Sequence, residues 1–437
     1  MVVSSGRKPA VGFIFVTLTL SIVGFGLLIP VLPKLIVQFQ GGDIAEGSHA
    51  YGWIISVYAL MQFIGAPILG SLSDRFGRRP IILIATAGSA IDYVIMAWAP
   101  SYAWLFVARM IAGFTGGVLS TANAYIADVT PPEKRAGAFG LLGAAFGIGF
   151  VIGPAAGGLL GSIDLHLPFW VAAGCSTVNW LWGFFVLPES LKPENRRSFS
   201  WSRANPVGAL LALRRFPSVL SLAEAYFFLM FAQNMLFSIW ALYTDFRYQW
   251  TPLQVGLSLM CTGVLSGLVQ ATLVKRLVPK IGEARAVMIG FSISICSFVS
   301  YGLAPSGGFI YATLVIGAFA GIAGPAMQSY VTKHVPANEQ GAAQGVFGGL
   351  QSLAGIPAPF IATWSFGWAV SSDPTVHLPS SLSFLEGALN GVLGFVPRHP
   401  GIAFFEAAAI IAFALFLAVR TFRKDARETI AITPGAH

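Results

Sequence analysis

Four ionisable side chains stand inside apolar runs of this 437-residue sequence: Asp92 in GSAIDYVIMAWAP, Arg109 in WLFVARMIAGF, Glu224 in SLAEAYFFLM and Glu406 in AFFEAAAII. A charge at the centre of a bilayer costs about 2.5–3.5 kcal/mol on insertion scales, so an ion kept in such a run is a functional candidate. A carboxylate that gains and loses a proton beside a movable partner couples proton flow to a change of shape. All four are therefore candidates for proton coupling. Asp92 and Arg109 each lie roughly seven residues from the same end of adjacent runs, about 10 Å deep at 1.5 Å per residue, so they can pair across antiparallel helices. Two readings of that pair stay open. It is a static buried ion pair, or Asp92 exchanges its proton as the pair separates. Glu224, near the end of its run, can snorkel to the interface. Glu406 lies in the last run.

The elements that must hold these groups are membrane helices. The chain is 55% hydrophobic and only 10% charged, with mean hydropathy +0.73, against about 25% charged in soluble domains. A bilayer-crossing helix needs roughly 20 mostly apolar residues. Twelve segments qualify, numbered here as spans 1–12: 10–33, 51–72, 80–99, 102–127, 136–161, 167–187, 218–243, 253–274, 285–304, 308–331, 341–366 and 400–420. The first runs too long for a cleavable signal peptide. The net charge of +8 collects in alternate loops, with Arg75, Arg78 and Arg79 after span 2 and Lys275, Arg276, Lys280 and Arg285 around the span 8–9 turn. That is the positive-inside pattern, and it predicts both termini in the cytoplasm. The basic pI is thus topology, with contact to lipid headgroups as a side effect and no nucleic-acid partner expected. Cys175, Cys261 and Cys296 lie within spans and suggest neither disulfide nor metal site. No phosphate-binding loop, nucleotide fingerprint or catalytic constellation stands out, so an enzyme is disfavoured and no cofactor is expected.

The spans divide six and six about a Pro- and Arg-rich stretch. The predicted organisation is an N-terminal half over 1–187, a cytoplasmic loop over 188–217 and a C-terminal half over 218–437. A sparse repeat supports the division: Gly116, Tyr125, Pro131, Gly140, Gly143 and Pro154 fall on Gly321, Tyr330, Pro336, Gly345, Gly348 and Pro359. Parallel repeats of this kind build many secondary transporters, with the substrate between the halves. Between spans 2 and 3 stands GSLSDRFGRRPIIL, which packs Asp74, Arg75, Arg78 and Arg79 around the turn residue Gly77. Such a loop is either a set of positive-inside anchors or a charge clasp, with an acid at a helix N-terminus and arginines paired to acids such as Asp128. Span 5 carries GIGFVIGPAAGGLLG, with Gly149, Gly153, Gly157 and Gly161 at every fourth position beside Pro154. This predicts a smooth, kinked seam facing the other half, or ordinary tight packing.

These motifs resemble the major facilitator superfamily. Gly70, Leu72, Asp74, Arg75, Gly77, Arg78 and Arg79 match its loop 2–3 motif, and Arg109 and Gly113 its span 4 motif, with Ala112 where glutamine is common. Gly149, Gly153, Pro154, Gly157 and Gly158 match the span 5 motif associated with its antiporters. More narrowly, FGLLIPVLP, SDRFGRRP, AIDY, IAD and EQGAAQG resemble the tetracycline-efflux branch of drug/proton antiporters. The resemblance implies alternating access, with spans 1, 4, 7 and 10 lining a cavity. It also shows departures: Ser21, Ser294 and Ser266 stand where that branch carries an acid, an acid and a histidine.

For substrate contact the candidates are Asn123, Gln233, Asn234 and Gln328 on cavity spans, with Tyr58, Gln62 and Gln351 flanking them. Each could equally be a helix–helix hydrogen bond. Asn123 and Gln328 are equivalent in the repeat, so both halves are expected to offer an amide to one space. The stretch LSFLEGALNGVL, within 368–400, has helical apolar spacing and is expected to lie on the membrane surface. The reading is an all-α, twelve-span membrane protein, a proton-coupled exporter of a small apolar or amphipathic compound, tetracycline-like or multidrug. It is expected to act as a monomer in a bacterial inner membrane. The alternatives are a metabolite importer or symporter of the same fold, and a non-transporting membrane receptor.

Overall fold

The computed structural model describes residues 11–116, 118–131, 134–201, 217–334, 340–373 and 396–432, with isolated positions between 375 and 394. The described residues form helices joined by turns and extended loops, and the predicted stretch LSFLEGALNGVL falls almost wholly outside them. Span 1 is two helices, Val11–Leu28 and Leu32–Phe39; spans 2 and 3 are Ile44–Phe76 and Arg78–Trp98. Span 4 comprises Tyr102–Thr115 and Val118–Val129, span 5 is Arg135–Gly161 and span 6 Leu167–Phe185. In the second half span 7 is Pro217–Tyr248, and span 8 runs through Pro252–Leu268, a π-helical stretch Val269–Val274, and Lys275–Ile281. Span 9 is Glu283–Leu303, and span 10 passes from Gly307–Ala318 through a tighter turn, Phe319–Ile322, to Ala323–His334. Span 11 is Gln340–Ala354 with Pro357–Val370, and span 12 is Ile402–Ile432. Eleven of these units are long and apolar enough to cross a bilayer. Span 6 falls short because Asn179 and three tryptophans dilute it, yet it packs against spans 1 and 3 like its neighbours.

Several predicted spans needed correction, and spans 1, 2 and 12 show it most plainly. Span 1 breaks after Leu28, because Pro30 has no N–H to continue the ladder; the chain closes instead with Ile29 N to Gly26 O at 3.3 Å and Val31 N to Leu28 O at 3.1 Å. Span 2 starts at Ile44 rather than residue 51, because the Asp43 carboxylate caps the N–H groups of Ala45 (2.8 Å) and Glu46 (3.1 Å). Span 12 continues past residue 420 to Ile432.

We call the end carrying Arg78 the basic end. The two halves meet along spans 5 and 8 and along spans 2 and 11, and both seams lie toward the opposite end. A methyl added at Gly158 would lie 3.0 Å from Leu253 Cα, and one at Gly263 would lie 2.9 Å from Val151 Cγ2. On the other seam a methyl at Gly52 would sit 3.2 Å from Thr363 Cβ, and one at Gly367 would sit 2.6 Å from His49 Nε2. Trp53 meets Phe360 edge-on at 4.9 Å, and Phe150 meets Phe237 at 5.6 Å. Lys34 Nζ and Asp245 Oδ1, 3.6 Å apart, bridge the halves at the same end. A cavity of only about 10 Å³ remains there, between Pro33, Lys34, Asp245 and Trp250. That is room for one water at most. Toward the basic end the picture reverses. Among the described residues, methyls at Gly70, Gly137, Gly140, Gly143, Gly147, Gly267 and Gly348 would meet nothing within 4 Å. The described halves are sealed at one end and parted at the other.

Span 5 corrects the seam expectation in detail. Gly149, Gly153, Gly157 and Gly161 face span 1: a methyl at Gly153 would lie 2.7 Å from Gly26 Cα, and one at Gly149 would lie 2.6 Å from Ile22 Cγ2. It is Gly158, with the carbonyl of Pro154 lying against Gly256, that faces the other half. The every-fourth period puts all four glycines on one face, and that face belongs to the N-terminal half's own packing.

Candidate functional site

Asp92 and Arg109 do meet. Span 3 and span 4 run antiparallel, and Arg109 Nε donates to Asp92 Oδ1 at 3.2 Å, with Nη2 against Oδ2. The side chains are 1% and 4% exposed, so the pair is sealed from water. Two rings close over the guanidinium, with Tyr58 of span 2 at 5.4 Å and Tyr93 of span 3 at 5.7 Å from its carbon. Each such contact is worth about 0.5–2 kcal/mol. Removing one partner of a buried pair costs about 3–5 kcal/mol, since the other charge is stranded. The arrangement gives Arg109 one ionic partner and two weaker ones. Were Asp92 to bind a proton, the guanidinium would keep its rings and lose its main hold on span 3.

The loop after span 2 is a clasp, assembled with partners the loop itself does not contain. Gly77, at φ 106°, ends span 2 and opens span 3, a backbone shape that favours glycine. Arg78 is buried and joins Asp74 Oδ1 (2.5 Å), Ser73 Oγ (2.7 Å) and Asp128 Oδ2 (3.1 Å). The acid at the start of span 3 is Glu189, from beyond span 6. Its carboxylate accepts from the N–H groups of Arg78 (2.8 Å), Arg79 (3.2 Å), Ser190 (3.0 Å) and Leu191 (3.0 Å). Arg79 reaches back to carbonyls at the end of span 6, Gly183 and Phe184. Arg75 stays exposed over the Phe76 ring at 5.0 Å. Ser190 Oγ donates to Asp128 Oδ2 at 3.0 Å, so the central loop is tied to spans 3 and 4 together.

The second half repeats this clasp with its charges exchanged. Gly282, at φ 84°, stands in the repeat register of Gly77, Glu283 in that of Arg78, and Lys333 in that of Asp128. Glu283 Oε1 takes Lys333 Nζ and Ser329 Oγ. The Lys333–Glu283 pair joins span 9 to span 10.

The remaining candidates scatter. Glu224 is exposed near the basic end of span 7, not buried among helices. Glu406 Oε1 accepts from Ser365 Oγ at 2.9 Å. Asn123 and Gln351 are exposed; Gln233 and Asn234 are half-buried, and Asn234 Nδ2 turns back to Met230 O at 2.8 Å. Gln328 is hydrogen-bonded to Tyr226 of span 7, inside its own half. Gln62 Nε2 lies near Gly116 at the break in span 4. Of the seven, Tyr58 alone joins the ion pair. The sequence reading missed Asn179, whose buried amide donates to Thr17 O (3.0 Å) and Ser21 Oγ (3.0 Å) and so binds span 6 to span 1. It also missed Tyr93, although AIDY puts that ring beside Asp92.

A two-half bundle of crossing helices, its halves meeting toward one end and a buried ion pair held inside the N-terminal half, is the architecture of a secondary transporter. The Major Facilitator Superfamily model matches residues 14–359, and the chain belongs to that family. It is 39% identical over 356 residues to the tetracycline resistance protein, class C, of Escherichia coli, covering 82% of this chain and 89% of that protein. To the class H protein of Pasteurella multocida it is 35% identical, covering 80% and 88%. Among solved structures it is similar to the human organic anion transporter, at TM-score 0.68 and 24% identity, over 94% of this chain and 100% of that one. The chain is an integral membrane protein of the transporter class.

Proposed function

We propose that this protein is a proton-coupled exporter of a small apolar or amphipathic compound, of tetracycline-like or multidrug type, working by alternating access in a bacterial inner membrane with both termini cytoplasmic. The observation that carries the reading is the Asp92–Arg109 pair, buried between Tyr58 and Tyr93 in a molecule whose halves part at one end. The relatives named as tetracycline resistance proteins support it.

The cycle follows from the geometry. With the basic end open, substrate enters between the halves from the cytoplasm. Seams that meet through glycine backbone and flat rings can part and reform without prying apart interlocked side chains. Once the far end opens, a proton neutralises Asp92, and Arg109 loses its ionic hold. Release of that proton after reclosure restores the pair and resets the molecule. A pH difference of one unit is worth about 1.4 kcal/mol, so each coupled proton supports about tenfold accumulation of substrate.

The test is reconstitution in vesicles with an imposed pH gradient and a screen of amphipathic compounds. The expected result is movement of at least one compound against its gradient, with protons moving the other way. Collapse of the pH gradient without effect on any transported compound would sink the reading. The importer or symporter of a metabolite remains the second reading. It is favoured by Ser21 and Ser294, whose hydroxyls are bound to carbonyls of their own helices, Thr17 and Gly290, where acids stand in the tetracycline branch. Co-movement of substrate and proton in the same assay would establish it.

A further inference from the structure

The second half has no counterpart of the buried ion pair, since in the repeat register Asp92 falls on Ser297 and Arg109 on Leu314. It has a different acid, Glu406, half-buried as a residue and with one carboxylate oxygen sealed from water. Glu406 lies in the second turn of span 12, about 6 Å below its start at 1.5 Å per residue and toward the sealed end. Its Oε1 accepts from Ser365 Oγ of span 11 at 2.9 Å, while Oε2 is buried with no hydrogen-bond partner among the described residues.

No described cation answers it. Span 12 packs against spans 7, 9 and 11. Between Pro357 and Val370 span 11 contains no ionisable side chain. On span 7, Asp245 is paired with Lys34, Arg247 is engaged with Tyr243, and Glu224 is near the basic end. Span 9 turns Tyr301 toward this region, where the Tyr243 hydroxyl donates to its carbonyl at 2.9 Å, and keeps Glu283 and Arg285 at the basic end. Before span 12, His399 Nδ1 accepts from Gly401 N at 3.0 Å, and the next charge along the helix is Arg420. An ionised carboxylate here would hold its charge with one oxygen cut off from water and from any donor. That costs far more than burying a neutral acid.

We propose that Glu406 and Ser365 form a second proton-binding site, loaded from the end opposite the basic end. The step balances simply: carboxylate and hydronium give carboxylic acid and water. Ser365 donates to Oε1, which leaves Oε2 as the oxygen that carries the hydrogen. The coupling role of this proton rests on the exporter reading, whereas the site itself does not.

Infrared difference spectroscopy of the full-length protein in liposomes tests the site without transport. At neutral pH the wild type shows the C=O stretch of a protonated carboxyl. Glu406→Gln removes that band, Ser365→Ala shifts it, and the conservative Glu406→Asp retains one. A band that survives Glu406→Gln, or a Glu406 that titrates as an exposed carboxyl does, overturns the site. In vesicles with a one-unit pH gradient, Glu406→Gln keeps downhill exchange and lowers accumulation about tenfold, one proton's worth. Unchanged accumulation overturns the coupling role. A band lost in Glu406→Gln from a protein that exports nothing would uphold the site and remove the exporter reading instead.

Discussion

At the residue scale the consequential choice is where charge is tolerated. Asp92 and Arg109 neutralise one another in a dry site, so each protects the molecule from the other's desolvation. Asp92→Asn is expected to abolish accumulation against a gradient while leaving downhill exchange measurable. Because the stranded arginine also destabilises the fold, Asp92→Asn with Arg109→Gln serves as the control: it is expected to regain thermal stability and not to regain coupling. Accumulation that survives Asp92→Asn would show that the pair is structural. Glu189 carries a second residue-scale prediction. Its carboxylate gathers four backbone N–H groups at the start of span 3 and beyond span 6. Glu189→Ala should lower unfolding stability by about 2 kcal/mol, read by thermal or denaturant melts in nanodiscs, since charge-assisted bonds at a helix N-terminus are lost together.

At the scale of elements, backbone approach matters more than side-chain chemistry. Spans 5 and 8 touch through Gly158, Gly256 and Gly263, and spans 2 and 11 through Gly52 and Gly367. Adding a branched side chain to such a contact forces backbones apart rather than rearranging a flexible tip. Gly256→Val, pressed against the carbonyl of Pro154, is expected to open the sealed end. The readout is thiol labelling of Thr363→Cys, a position with no exposure in the closed seam, with Cys175, Cys261 and Cys296 replaced by serine. Labelling is expected to rise several-fold in Gly256→Val. An equal rate in both backgrounds would mean that the seam does not depend on that approach. The break in span 1 belongs at this scale too, because it lets Leu32–Phe39 turn so that Lys34 reaches Asp245 of the other half.

For the whole molecule, the balance between its two openings is set by small terms at opposite ends. The clasp of Arg78 with Asp128 and its exchanged partner, Glu283 with Lys333, are each internal to one half. They stiffen the halves at the parted end and leave the halves unlinked there among the described residues. Lys34–Asp245 is the described ion pair that crosses between halves, and it is about 40% exposed on the lysine side. An exposed pair is worth about 0–1 kcal/mol, enough to shift the ratio of openings up to about fivefold. Lys34→Glu should therefore raise labelling of Thr363→Cys modestly, and adding Asp245→Lys should bring it back. Failure of the reversed pair to restore the wild-type rate would assign the effect to something other than that bridge.

The sequence by itself determined that the chain builds membrane-crossing helices, because hydropathy acts through the solvent and needs no tertiary partner. It also determined that Asp92 and Arg109 could meet, since helical rise fixes the depth of each on antiparallel neighbours. The glycine of the span 2–3 turn was legible for the same local reason. Partners distant along the chain were not. Nothing in SDRFGRRP says that Glu189 will cap span 3, and nothing in the period of Gly149, Gly153, Gly157 and Gly161 says which neighbour they will face. Tertiary structure decided that the stripe packs on span 1 while Gly158 meets the other half. It left Glu224 exposed, bound Gln328 to Tyr226 within one half, and put a serine rather than a cation beside Glu406. A pattern along one helix fixes its faces, but which face meets which helix depends on how all the spans pack at once.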